Sequence, residues 1–480
     1  LSRKTDVLAL KAHYSRDNTM KILIQAILLT LVAAHAAEAE QPNIVFMIAD
    51  DCTFRDIGCY GGQAHTPHID GLADHGMKFT RCFQAAPMCS PTRHNIYTGL
   101  YPVKSGAYPN HTRVDPGTKS VVQYLGDLGY RVAQSGKKHV GPPSVFAWEN
   151  LGSGNNPDFN AVDQFIGDCQ QQTKPFCLLL CSNEPHSPWN KGDASRYPAD
   201  QIELPAYFVD TPETRDAMSR YLAEITYYDE QVGEAIGLLK KHRVTNNTLV
   251  VVVSEQGSSM PFAKWTCYDN GLQSALIAKW PGKIKPASVN PAMIEYVDLL
   301  PTFIEAAGGT PDESLDGKSL MPVFAGNTSH KAYVFGEMTT RGIINGSDHF
   351  GIRSVRSETY KYIWNFTPEV EFQNAETKSA EFKSWRAKAD AGDAHAAELV
   401  SRYTRRPAVE LYDVEKDPLE MNNLADQPGF ETVMQELRDE LQRWMTACGD
   451  QGQATELKAH ERMQSERQEK PAKKQRARSN

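Results

Sequence analysis

The sequence predicts an α/β fold: a large, mainly parallel sheet sandwiched by helices, followed by a smaller C-terminal α+β domain with an antiparallel sheet. Three observations carry this. Apolar runs that end abruptly in polar residues with Gly or Pro recur as NIVFMIADD (43–51), YRVAQSGKKHVG (130–141), PFCLLLCSNEPHSP (175–188) and TLVVVVSEQG (248–257). Near-continuous Val/Ile/Leu runs of this kind read as strands buried on both faces; the second run is weaker in apolar content. Between them, SVVQYLGDLG (120–129) and YLAEITYYDEQVGEAIGLLKK (221–241) place apolar residues three and four apart, and basic residues close the longer one. After about residue 325 the texture changes to KAYVFGE (331–337), FGIRSVRSETYKYIWN (350–365) and VELYD (409–413), strands of a second, antiparallel sheet. A polar helical insert lies between the last two, and QELRDELQRWM (435–445) is an amphipathic closing helix.

The ends of the chain read differently. Met20 and Lys21 precede ILIQAILLTLVAAHAAEA, an apolar run closing in small residues, which is the pattern of a secretory signal; an uncleaved anchor or a buried helix is the alternative. The domain plan is therefore a leader and signal peptide at 1–39, a catalytic domain at 40–328, an antiparallel-sheet subdomain at 329–448 and a disordered charged tail at 449–480. Export to a bacterial periplasm or the exterior, rather than to a lysosome, follows, with no stable membrane span once the signal is cleaved. A net charge of −8 argues against a nucleic-acid partner. Nine cysteines, an odd number, leave at least one thiol over in an exported protein, and no CxxC pair suggests a structural zinc site.

In such sheets ligands sit beyond the carboxyl ends of the strands. Asp50, Asp51, Lys137, His139, His186, Glu255 and Gln256 all fall there. A lone Asp at a strand end is often a helix cap. Two adjacent carboxylates after a buried strand repel unless a cation or proton lies between them. Oxygen ligands favour Ca²⁺, with Mg²⁺ possible, and Glu255 and Gln256 add two more oxygens from another strand. In CSPTRHNIYTG (89–99), Ser90 suits an N-cap, Pro91 the first helical position and Gly99 the terminator, which puts Cys89 at a helix amino terminus. A cysteine nucleophile with a lowered pKa is one reading of that placement.

CSPTR, with Thr98 and Gly99, resembles the signature of the type I sulfatases of the alkaline-phosphatase-like superfamily. The resemblance extends through NIVFMIADD, TPHID from Thr66, GKKH from Gly136, PHSP from Pro185, SEQG from Ser254, Lys264 with Trp265, VDLLPT from Val297 and LYDVEKDPLEMNNLA from Leu411. It implies that a separate maturation enzyme oxidises Cys89 to formylglycine. The hydrate of that aldehyde carries two hydroxyls, one to attack sulfur and one whose deprotonation ejects sulfate. It also implies that Asp50, Asp51, residue 89, Glu255 and Gln256 bind the metal. Arg93 would stabilise the formylglycine, and Lys137 and Lys264 would hold sulfate oxygens. His139 would orient or deprotonate the second hydroxyl, and His186 would protonate the leaving atom. The family usually has Asp then Asn or His where this chain has Glu255 and Gln256, so the loop must sit back by roughly a bond length.

GKKHVGP, YFVDTPETR (207–215) and IRSVRSETYKYIWN resemble the N-sulfoglucosamine sulfohydrolase branch, which implies a sulfated saccharide carrying an N-sulfate or an O-sulfate. Arg341, His349, Arg353 and Arg356 are candidates to approach acidic sugar groups. A phosphatase or phosphonate hydrolase of the same superfamily and a non-catalytic sugar-binding module are the rival readings.

Overall fold

A computed structural model describes residues 41–469; the signal-peptide expectation and the last residues of the tail lie outside them. The strands are β1 Asn43–Ala49, β2 Met77–Phe83, β3 Arg131–Gly136, β4 Glu149–Asn150, β5 Phe176–Cys181, β6 Thr248–Ser254, β7 Gln273–Lys279, β8 Ser288–Asn290 and β9 Ile294–Glu295. They form one sheet in the order β4-β3-β5-β1-β6-β7-β2-β8, with β9 also on β2. Pairing is parallel everywhere except along β7, which runs against both β6 and β2.

The apolar runs sort by the two-residue period of a strand. Val45, Met47 and Ala49 of β1 and Val250 and Val252 of β6 face one apolar layer. Ile44, Phe46 and Ile48, with Leu249, Val251 and Val253, face the other. The first layer is covered by the helices Phe159–Gln171 and Pro212–Lys241, and the second by Val121–Asp127 and Leu299–Ala306. Burial on both faces is why these strands lack alternation. β2 and β7 escaped the sequence reading because β2 (MKFTRCF) interrupts its apolar residues with charge and β7 (QSALIAK) opens on polar ones.

The second sheet, β10 Val334–Thr339, β11 Gly351–Arg356, β12 Tyr360–Asn365 and β13 Val409–Asp413, is antiparallel in that order. The helix Glu431–Ala447 covers it with Leu437, Leu441 and Trp444, and the insert between β12 and β13 forms the helices Ala380–Asp390 and Ala394–Thr404. Both sheets lie in one compact unit that begins at Pro42.

Two expectations are corrected here. The segment after 448 is not disordered throughout: Gln453–Glu469 is helical, and buried Glu456 and Asp450 pair with Arg353 at 2.9 and 2.5 Å. The low apolar content misled because ionic contacts, not apolar ones, hold this segment. For the same reason Arg353 is no sugar contact. Arg356 is buried too, 3.0 Å from Asp269 and over the Phe83 ring.

The Arg353 cluster titrates. Buried Glu337 accepts from the Val103 N–H at 2.8 Å, while its Oε2 has no partner. Burial raises its pKa to about 8; Arg353 opposes this, and Asp450 and Glu456 add to it. Its folded-state pKa thus exceeds the unfolded value near 4.5, so folding retains a proton that the unfolded chain loses. Its contribution to stability is full below about pH 4.5 and is lost as pH rises through about 8. Glu337→Gln is expected to flatten the stability profile between those limits. Its advantage over the parent, on the order of 1–2 kcal/mol near pH 8, is measurable by denaturant titration at several pH values.

Candidate active site

The carboxyl ends of β1, β3, β5 and β6 share one edge of the large sheet, and the loops leaving them converge. β1 delivers Asp50 and Asp51, both fully buried; Asp51 sits at φ +61°, a left-handed conformation that a non-glycine residue holds only when its surroundings enforce it. β3 delivers Lys137 through Gly136, where a Cβ would lie 2.0 Å from the Cys181 carbonyl oxygen. The glycine of GKKH is thus required by the close approach of two backbones.

Cys89 is the first residue of the helix Cys89–Thr98. Met88, not Ser90, is its N-cap and makes no side-chain cap bond, while Gly99 ends the helix at φ +64° as expected. All ten helical residues are buried, so packing rather than a polar cap fixes where the helix begins. His94 ties this helix to the β3 loop: Nδ1–H donates to the Ser90 carbonyl at 2.7 Å, and Nε2 accepts from the Gly141 N–H at 3.0 Å. Burial pushes its pKa down to about 4, so it serves as a neutral strut.

Ligand atoms of Asp50, Asp51, Cys89 and Glu255 all lie within 4.8 Å of one another. Gln256 joins them, its Nε2 3.2 Å from Cys89 Sγ and 3.5 Å from Asp50 Oδ1, and in contact with Asp51. Glu255 Oε2 and Gln256 Oε1 are buried with no hydrogen-bond partner. Buried oxygens rarely stay unpaired, and a set of carboxylate and amide oxygens suits a hard divalent cation; the residues present fit one. The extra methylene of Glu255 does not take its carboxylate out of reach.

Basic groups ring the cluster. Arg93 is buried, its Nε 2.6 Å from Glu255 Oε1 and its Nη1 donating to the Lys137 carbonyl at 3.1 Å. Lys264 Nζ lies 2.6 Å from Asp51 Oδ2, and Lys137 pairs with Asp50. Burial opposes the charge of Lys264, but Asp51 and Cys89 outweigh it and hold its pKa above the usual lysine value. Burial brings Lys137 down to about 8, with Lys264 adding to the fall. Burial likewise raises the Cys89 thiol to about 12; Glu255 and Asp51 add to that, against Lys264 and Arg93. With the protein's own groups alone, burial thus outweighs the helix terminus, so that terminus does not by itself make Cys89 a thiolate.

Two histidines complete the set. His186 directs Nε2 toward Asp51 Oδ2 at 3.6 Å, and its Nδ1–H donates a hydrogen bond to the Ser187 carbonyl at 2.6 Å. Burial lowers its pKa to about 4, opposed by Asp51 and aided by Lys264 and Lys137. His139, at φ +52°, hydrogen-bonds through Nε2 to Nδ1 of His111 at 2.7 Å. Burial, then Lys137 and His111, hold it well below the imidazole range. The structure thus brings Asp50, Asp51, Cys89, Arg93, Lys137, His186, Glu255, Gln256 and Lys264 together, while His139 bonds to His111.

Sequence reasoning missed His111, on an exposed loop, and Ser259, whose hydroxyl donates to Asp51. It also missed Glu376, a buried carboxyl from the insert whose pKa burial raises to about 8, with Lys264 opposing and Asp51 adding. No local motif marks any of the three. Of the four candidate sugar contacts, Arg341 and His349 stay partly exposed and bond to each other at 2.7 Å, and the Arg341 carbonyl accepts from the Asn110 N–H beside His111.

A helix-covered sheet thus carries at its carboxyl edge an acidic cluster able to hold a cation, a buried thiol and two lysines paired with aspartates. The chain belongs to the sulfatase family: its residues 42–309 match that family, and residues 257–396 match the C-terminal region of N-sulphoglucosamine sulphohydrolase. It is 33% identical over 470 residues to an ulvan-active sulfatase of Formosa agariphila, covering 94% of this chain and 90% of that one. It is 25% identical over 471 residues to human N-sulphoglucosamine sulphohydrolase, covering 88% and 93%. A structure solved in complex with its substrate D-glucosamine-2-N,6-O-disulfate shares the fold with a TM-score of 0.63 at 19% identity, over 86% of this chain and 99% of that one. The protein is accordingly a sulfatase, a hydrolase of sulfate esters.

Proposed function

We propose that this sulfatase acts outside the cytoplasm on a sulfated carbohydrate, cleaving an N-sulfoglucosamine-type sulfamate or sulfate ester, with residue 89 as formylglycine and Ca²⁺ beside it. The observation that carries the reading is the buried cluster of Asp50, Asp51, Cys89 and Glu255 with its unpartnered oxygens. Asp50, Asp51, Glu255 and Gln256 would hold the cation. When bound, the cation and the aldehyde hydrate supply a nucleophilic oxygen that an unionised thiol cannot. No helix among the described residues is long and apolar enough to cross a membrane. The proposed maturation enzyme would act on the CSPTR segment.

The remaining roles follow from charge and position. Arg93, Lys137 and Lys264 balance the three carboxylates, so a divalent cation leaves positive charge over for an anionic substrate. Lys137 and Lys264 would then bind sulfate oxygens in a water-poor site, where such contacts are strongest. His139, backed by His111, would hold or take a proton at the nucleophile. His186 presents Nε2 to the site and would deliver a proton to the leaving atom as the imidazolium, a form that its lowered pKa disfavours until a bound sulfate adds negative charge beside it.

That last role has a specific signature. A poor leaving group needs protonation and a good one does not, so His186→Ala is expected to cost about 10²–10⁴-fold in kcat on a sugar sulfate and far less on 4-nitrophenyl sulfate. Equal losses on both would remove His186 from the acid role.

The substrate itself is tested by supplying N-, 2-O- and 6-O-sulfated glucosamines, ulvan oligosaccharides and phosphate esters, and measuring sulfate or phosphate release. Preference for N-sulfated glucosamine supports the first reading. O-sulfatase action on another polysaccharide is the second, favoured by the ulvan-active relative. Preference for phosphate esters, or binding without turnover, would overturn both.

A further inference from the structure

The insert between β12 and β13 brings to the site one carboxyl group that neither metal binding nor sulfate binding uses. Glu376 lies in the short turn Ala375–Lys378, and its backbone is pinned. Asn374 Oδ1 accepts from the N–H groups of Glu376 and Thr377 at 3.0 and 3.3 Å, and Asn374 Nδ2 donates to the Tyr403 hydroxyl at 2.9 Å. The Tyr403 ring packs on Phe262 with centroids 5.1 Å apart, two residues before Lys264. The turn and the Lys264 loop are therefore clamped to a common aromatic cluster.

The Glu376 side chain is 9% exposed and makes no hydrogen bond or ion pair. The turn that carries it is tied through Tyr403 and Phe262 to the Lys264 loop, and Lys264 and Asp51 are the charged groups that act on it most strongly, which sets it beside the site. The side chain is largely buried while its carboxylate oxygens keep access to solvent, so they are open to a ligand, and a carboxylate here opposes the binding of an anionic sulfate. Sulfate recognition therefore does not account for it. A hydrogen-bond donor on the rest of the substrate would be a fitting partner for it. Sugars carry such donors, hydroxyl or N–H, beside the sulfated atom, whereas simple aryl sulfates carry none.

We propose that Glu376 is a specificity-determining residue that accepts a hydrogen bond from a sugar hydroxyl or N–H group adjacent to the sulfated position, an inference that rests on the sulfatase reading above. It favours a polyol or amino-sugar leaving group over one without donors, and disfavours a carboxylate at that position.

The test compares the parent with Glu376→Ala and Glu376→Gln on two probes: the sulfated glucosamine turned over fastest, and 4-nitrophenyl sulfate. Glu376→Ala is expected to lower kcat/KM on the saccharide about 10- to 100-fold more than on the aryl sulfate. Glu376→Gln, which keeps an acceptor oxygen, is expected to restore part of that difference. A merely structural role would reduce both substrates alike, and that result, or no loss on either, overturns the proposal. A parent that hydrolyses the aryl sulfate but no sulfated glucosamine overturns it too. A parent inactive on every sulfate overturns the sulfatase reading, and the proposal with it.

Discussion

Cys89→Ala is expected to abolish sulfate release, lowering kcat/KM by about 10⁴-fold or more, the scale on which loss of a nucleophile is felt. Fold should survive. The side chain is small, and its neighbours are polar groups that also pair with one another. Cys89→Ser is the sharper variant. A serine offers one hydroxyl where an aldehyde hydrate offers two, so it can accept a sulfuryl group but has no second hydroxyl with which to expel it. The expected result is at most about one equivalent of product per site, followed by arrest. Mass spectrometry of the Cys89 peptide from active protein checks the premise: conversion makes it lighter, because H₂S is lost and one oxygen gained. An unmodified thiol in fully active enzyme, or multiple turnover by the serine variant, would refute the assignment. The ionisation of Cys89 already points the same way. Burial pushes the thiol's pKa up, so without a cation beside it the unmodified residue is a poor nucleophile toward sulfur.

What the sequence made legible follows from how local each signal is. Three of the four strands that lead into the candidate site, β1, β5 and β6, were recognisable because burial on both faces demands uninterrupted apolar residues, whereas β3 (RVAQSG) carries that signal only weakly. Asp50 and Asp51 stood out because adjacent carboxylates after such a strand need a reason. The start of the helix at Cys89 was placed two residues too late, since the polar residues Ser90 and Pro91 suggested a capped entry where tertiary packing decides. Arg353 and Arg356 resembled surface cations because their partners, Asp450, Glu456 and Asp269, lie far away in the chain. His111 and Glu376 left no trace in the sequence for the same reason. Their place beside the site is a consequence of topology, of one loop folded over β3 and an insert folded back from the second sheet. The antiparallel β7 was also beyond reach, because the reversal happens within the loop that carries Lys264.

Chelation is expected to remove activity and stability together, and the acidic cluster explains why both should go. Asp50, Asp51 and Glu255 are fully buried. Burial alone would raise the pKa of Asp51; Lys264 and His186 outweigh it and keep the group ionised. A cation adds to that compensation and pairs the oxygens of Glu255 and Gln256 that otherwise lack partners. Binding to the folded state alone stabilises by RT ln(1 + [L]/Kd), about 2.7 kcal/mol at a hundredfold excess over Kd, which amounts to roughly 3 °C in Tm for a chain of this length. Treatment with EDTA should therefore lower Tm by about that much and abolish turnover, and Ca²⁺ should restore both. In Asp51→Asn, Tm should no longer respond to Ca²⁺, a readout that does not depend on the state of residue 89. Glu255→Asp supplies the complementary test. The shorter side chain still offers a carboxylate but must bridge the gap that the longer one spans, so its response to Ca²⁺ should persist at a higher midpoint. If added Ca²⁺ leaves the Tm of the parent unchanged after chelation, the cluster holds no such ion, and its carboxylates are stabilised by Arg93, Lys137 and Lys264 alone.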